Sequence, residues 1–206
     1  MNSLLNIFVA LLVVLDPIGL APMFTALTRG VTADVQRRIA IKGTALAAVI
    51  LLVFFFSGDL LLRSLGISLA AFRIAGGALL FLLAIDMVFA RQSGLRSTTE
   101  REQQEAAHRH DVSVFPLAFP LIAGPGALTT VILMAATPRQ PVLMLGMLGV
   151  LLAVLALTLM SLLAAARVMR FLGETGTNVI SRVLGVVLAA LAVQFIMDGL
   201  KAGFLS

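Results

Sequence analysis

The sequence predicts an all-α polytopic membrane protein with six transmembrane helices in two inverted three-helix repeats, helices one and four being broken at mid-membrane. Three observations predict it. Of 206 residues, 60% are hydrophobic and 12% charged, with a mean hydropathy of +1.09, which excludes an ordinary soluble domain. Six apolar runs each reach the roughly 20 residues that a helix needs to cross the hydrocarbon core. The second half of the chain also repeats motifs of the first at matching positions.

The first run, Ser3 to Thr28, is interrupted at its midpoint by Asp16-Pro17-Ile18-Gly19-Leu20-Ala21-Pro22. Pro17 cannot donate to the carbonyl of Val13 and pushes Asp16 away from helical dihedrals, so the first helix should stop near Leu15. A second helix can restart there, because Asp is a preferred N-cap and Pro is favoured at the first helical position. Broken helices at this depth are tolerated only where they line protein or a cavity, and in transporters they mark the substrate site. Met1-Asn2-Ser3 carries no basic n-region and no small-residue cleavage site follows, so the first run reads as a retained span.

Runs two and three extend over Ile39 to Leu62 and Leu65 to Ala90, completing a first repeat over residues 1–90. A polar linker, 91–112, follows; its mixed charges and Ser-Thr-Thr start suit a solvated, partly helical cytoplasmic connection. His108-Arg109-His110 within it is half of a metal site at most, and a solvated loop is the expectation. The second repeat, 113–206, holds run four (Ser113 to Ala136), run five (Pro141 to Ala166, without a charged residue) and run six (Val179 to Leu200). Gly124-Pro125-Gly126 interrupts run four at its centre, as Asp16-Pro17 interrupts run one. Phe72-Arg73-Ile74-Ala75-Gly76-Gly77 is echoed by Ser181-Arg182-Val183-Leu184-Gly185-Val186. Pro125 lies 108 residues after Pro17, and Arg182 lies 109 after Arg73. With three spans per repeat, an odd number, the copies must sit in opposite orientations.

Connections after spans one, three and five carry eleven of the fifteen Lys and Arg residues, against Arg63, Arg73, Arg139 and Lys201 elsewhere. The positive-inside rule then puts both termini outside the cytoplasm. The same topology accounts for the net charge of +5, and without tyrosine or tryptophan for base stacking no nucleic-acid partner is expected. The absence of cysteine excludes disulfides and thiolate chemistry.

The DPIG element in span one, Gly124-Pro125-Gly126 in span four, Arg73-Ile74-Ala75-Gly76-Gly77 in span three and the six-span layout together resemble the MarC family, over essentially the whole chain. That family is grouped with neutral amino acid transporters and placed near the LysE-type exporter superfamily. The resemblance implies a multi-pass protein of the bacterial inner membrane, in a family of which some members transport small neutral amino acids. It does not imply a role in antibiotic resistance.

Candidate site residues follow from the breaks. Asp16 is the one acid deep in the first four spans, and a centred Asp costs about 2.5–3.5 kcal/mol on insertion scales, which makes it a functional candidate. It either caps the second half-helix alone or caps it while also handling a coupling proton or sodium ion. Pro17 and Gly19 complete that half-site. Gly124, Pro125 and Gly126 leave amides near Ala127, Leu128 and Thr129 at the positive end of a half-helix, suited to a substrate carboxylate. Pro125 and Pro120 free the carbonyls of Leu121 and Pro116. Thr129 and Thr130 either add hydroxyls to the site or bond back to the preceding turn.

Arg73 and Arg182 are candidates for gating by bonding freed carbonyls, the alternative being a structural brace or a lipid phosphate contact. Gln194 is a candidate for the cavity, and Asp198 with Lys201 reads as a surface ion pair. Gly43 with Ala47, and Gly149 with Ala153, read as small-residue packing faces. No cofactor is implied. An enzyme is not expected, since both histidines lie in the linker and no Ser-His or paired-Asp arrangement occurs in the spans. No P-loop is present to supply energy from ATP. The expected function is gradient-driven transport, and the alternative is a membrane protein with a regulatory or interaction role.

Overall fold

The structure, a computed structural model, describes residues 4–89, 112–136 and 141–204. The linker with His108 and His110 therefore lies outside the described residues, except for Val112. All regular structure among the described residues is helical.

Helix α1 (Leu4–Leu15) ends where the sequence places its end: the amide of Asp16 makes a last bond to Leu12 O at 3.0 Å, and Pro17 has none to give. Helix α2 (Leu20–Leu27) completes the first span. It closes on Thr28, and the side-chain amide of Gln36 bonds Thr28 O at 3.2 Å, securing the turn into the next helix around Gly30, whose φ is +81°. Helix α3 (Ala33–Ser64) begins a turn and a half before Ile39, with Asp34 in its first turn complementing the positive end of the helix. Its 32 residues rise about 48 Å, well beyond the roughly 30 Å hydrocarbon core. Helix α4 (Leu69–Phe89) starts later than Leu65, because Gly66 turns the chain at φ +68° and the Ser68 hydroxyl accepts the amide of Ala71 at 3.1 Å.

The fourth span departs from the expected pair of half-helices. Ser113–Ile122 is a wide, irregular coil with five-residue hydrogen bonds (Leu117 N to Val112 O, 3.3 Å; Ala123 N to Ala118 O, 2.9 Å). Phe115 and Phe119 are extended, each before a cis proline, Pro116 and Pro120. Two ring nitrogens four residues apart remove one rung of an α-helical ladder in each of two successive turns, so only the part after the break forms an ordinary helix, α5 (Pro125–Ala135). The two parts meet at 59°. At 11 residues, α5 rises only about 16 Å and cannot cross a bilayer by itself.

Helix α6 (Pro141–Leu163) is followed after one residue by α7 (Ala165–Phe204), which bends at Gly173, φ +63°. Its span-length portion, Thr175–Phe204, begins before Val179. Five stretches are long and apolar enough to cross a membrane, or six if the wide coil and α5 are taken as one.

Helix α5 sits at the centre, against α1, α3 and α4, with eight of its residues buried. Helices α4 and α7 pack antiparallel through glycines: Gly77 lies against Ala192 and Ile196, Gly185 against Met87 and Val88, and Gly199 against Ala70 and Ile74. A Cβ at Gly185 would come 2.9 Å from that of Met87, so the missing side chain sets the approach. Gly43 and Ala47 are buried as expected, Gly43 under Leu117. The second small-residue face is a correction: Gly149 and Ala153 are exposed, with nothing within 4 Å of a Cβ at Gly149.

Candidate functional site

Asp16 occupies the first break with φ +45°, a left-handed conformation that Asp tolerates better than most residues. It is only 1% exposed. Its carbonyl accepts the amide of Leu20 at 3.1 Å and its Oδ1 accepts that of Gly19 at 3.0 Å, so it closes the turn that leads into α2; the helix itself restarts at Leu20, with Gly19 and not Asp16 in the N-cap position, later than the sequence suggests. Oδ2 accepts a hydrogen bond from the Ser181 hydroxyl on α7 at 3.1 Å. The Ser161 hydroxyl on α6 donates to the carbonyl of Pro17 at 2.6 Å. Gly19 is required on packing grounds, since a side chain there would overlap the Asp16 carboxylate and the Ser181 hydroxyl. The first break is thus tied to two helices of the other half of the chain.

Ser161 and Ser181 are the site residues that sequence reasoning missed. Ser161 is the sole serine in an uncharged apolar run, and Ser181 opens the segment that echoes Phe72 to Gly77. A lone hydroxyl facing a bundle interior needs a partner, and that was the available signal.

The second break begins at Gly124, which is extended (φ −75°, ψ 173°) and carries no capping side chain, with Pro125 at the first helical position of α5. A Cβ at Gly124 would lie 2.5 Å from Pro120 O, so only glycine fits. The expectation that the amides of Ala127, Leu128 and Thr129 are all open needs correction: Leu128 N already bonds Gly124 O at 3.0 Å, so the ladder starts there and only Gly126 and Ala127 precede it. Thr130 bonds back to Gly126 O at 2.8 Å. Thr129 is buried with its methyl against Gly76, which is why α4 needs a glycine at that point.

The two breaks approach each other through Val14 and Gly126; a Cβ on Gly126 would stand 3.5 Å from Val14 Cγ1 and 3.0 Å from Leu80. Between them lies a crevice lined by Val14, Leu83, Pro120, Gly124, Pro125 and Gly126. Its volume of about 20 Å³ suits one water and excludes an amino acid.

The remaining candidates are not brought to this centre. Arg73 lies in the second turn of α4, half-buried beside Gly199. Arg182 is exposed on α7, next to Ser181. Neither bonds a carbonyl of either break among the described residues. Gln194 is exposed and donates to Asp198 at 2.8 Å, so Asp198 bonds Gln194 where an ion pair with Lys201 was expected.

Comparison with known proteins covers the same full length. The chain is 36% identical over 194 residues to a UPF0056 membrane protein of Aquifex aeolicus, covering 94% of this chain and 90% of that one. It is 35% identical to the UPF0056 membrane protein YhcE of Escherichia coli (96% and 91% covered) and 36% identical to YvbG of Bacillus subtilis (98% and 96%). No solved structure matches the chain. The family described as MarC family integral membrane protein matches residues 1–204. With its apolar helices, its paired breaks and this full-length match, the chain belongs to the MarC family as a multi-pass integral membrane protein.

Proposed function

We propose that this protein is a secondary transporter of the bacterial inner membrane, moving small neutral amino acids by gradient-driven alternating access. One observation carries the reading. A carboxylate that is 1% exposed sits at a helix break, bonded to a serine 165 residues away on a helix of the other half. Intramembrane acids are costly, and where they persist they face cavities, pair with partners and mark ion or substrate pathways.

The arrangement of α4 and α7 supports an inverted repeat. Shifting the contact between Gly185 and Met87 by the 109-residue offset, in both directions, gives Gly76 against Ile196; the contact found is Gly77 against Ile196. A two-fold axis in the membrane plane produces such reciprocal pairs. Termini outside the cytoplasm follow from the charge distribution.

In the proposed cycle one repeat rocks against the other around the two breaks. The open amides at Gly126 and Ala127 receive the substrate carboxylate when the crevice widens. Asp16 exchanges its serine partner for a coupling proton or sodium ion. Arg73 and Arg182 guard opposite faces. The experiment is reconstitution of the purified chain with labelled alanine, serine and glycine under imposed proton or sodium gradients. Accumulation driven by one gradient, and abolished in Asp16→Asn, is expected. Absence of flux for every solute under every gradient would overturn the reading in favour of a non-transporting role.

A further inference from the structure

We propose that a cavity of about 420 Å³ at the basic end of the bundle admits a small zwitterion, with its carboxylate at Arg37 and its ammonium at Asp34. The cavity lies where α2 ends, α3 begins, α6 ends and α7 begins. Its size falls in the range of about 300–1,000 Å³ typical of small-molecule sites. The inner wall is apolar and buried, formed by Phe24 and Leu162, while Asp34 and Arg37 stand exposed at the rim.

Three residues apart on one helix, Asp34 and Arg37 share a face with their Cβ atoms about 5–6 Å apart. No ion pair joins them. The other polar groups on the wall are turned to the protein: Thr25 donates to Ala21 O, Thr28 to Phe24 O and Gln36 to Thr28 O. The cavity lining thus offers one charge of each sign, not joined to each other in an ion pair. A simple anion meets Asp34, and a simple cation meets Arg37; only a molecule carrying both charges satisfies both. On α6 the cavity wall at Leu162 adjoins in sequence Ser161, the serine that holds Pro17 of the first break. The cavity's role as an entry to that break rests on the transporter reading.

The chain contains neither Trp nor Tyr. A Leu163→Trp variant of the full chain in vesicles therefore carries one indole, on the cavity wall. Titration with L-alanine, propionate and ethylamine should give a saturable fluorescence change that is strongest for alanine. Since both charges are exposed, Arg37→Gln should weaken alanine about two- to fivefold and bring it level with ethylamine. Asp34→Asn should bring it level with propionate, and Arg167→Gln, outside the cavity, should leave the titration unchanged. A flat titration, equal response to the three probes, or equal effects of all three substitutions would overturn the site. Saturable binding without flux would instead refute the transport reading and leave the site standing, whereas flux with a flat titration would do the reverse.

Discussion

Substitutions at Asp16 separate its conformational, capping and charge contributions. Asp16→Ala removes the cap, costing about 0.5–2 kcal/mol. It also forces a residue with no polar side chain into the left-handed region, costing about 1–2 kcal/mol. Together the expected loss is about 1.5–4 kcal/mol. Asp16→Gly relieves the backbone and recovers the second part, leaving the Gly19 amide and the Ser181 hydroxyl without the carboxylate. Asp16→Asn keeps an oxygen for Gly19 and can accommodate Ser181 by reversing the donor, so its loss should be about 1 kcal/mol or less. Unfolding midpoints in detergent should therefore rank the wild type first, then Asn, Gly and Ala. An Ala variant as stable as the Gly variant would refute the conformational reasoning, and an Asn variant as weak as Ala would refute the hydrogen-bond reasoning.

Other expectations follow from single contacts. Gly185→Ala should lower the unfolding midpoint, costing about 1–3 kcal/mol, because the new methyl meets Met87 Cβ and the backbone of Val88; Gly149→Ala, facing open space, should be neutral or slightly stabilising. Thr44→Val should stabilise by about 1–3 kcal/mol in the same assay, since the buried Thr44 hydroxyl has no hydrogen-bond partner. In topology mapping, a C-terminal phosphatase fusion should be active and a fluorescent fusion dark; the opposite pair would reverse the orientation. An Arg73→Lys variant with normal flux would leave no guanidinium-specific role for Arg73 in the proposed cycle.

What was legible in the sequence was set by local backbone chemistry. Both breaks lie where Pro17 and Pro125 remove an amide, because proline acts on its own turn whatever surrounds it. The same rule applied to Pro116 and Pro120 would have shown that Ser113–Ile122 is no α-helix; counting apolar residues concealed it, since apolarity measures affinity for lipid and not backbone hydrogen bonding. Helix ends were less legible, as α3 and α7 continue past their apolar runs into polar turns. Partners were least legible. Ser161 and Ser181 reach the first break across 144 and 165 residues, a relation that no local pattern encodes. Gln194 illustrates the converse, a polar residue in an apolar span whose partner, Asp198, was one turn away on its own helix.

The distant hydroxyls also bear on how the chain is made. At about 5–20 residues per second, synthesis of the 144 residues that separate Pro17 from Ser161 takes about 7–30 s. Throughout that interval the carbonyl of Pro17 and the carboxylate of Asp16 are already in the nascent first span without their eventual serines. Water, lipid headgroups or the insertion machinery must shelter them meanwhile. A ribosome that stalls before Ser161 leaves a first span whose Pro17 carbonyl lacks its serine, while the Gly19 amide already holds Asp16 Oδ1 within its own turn.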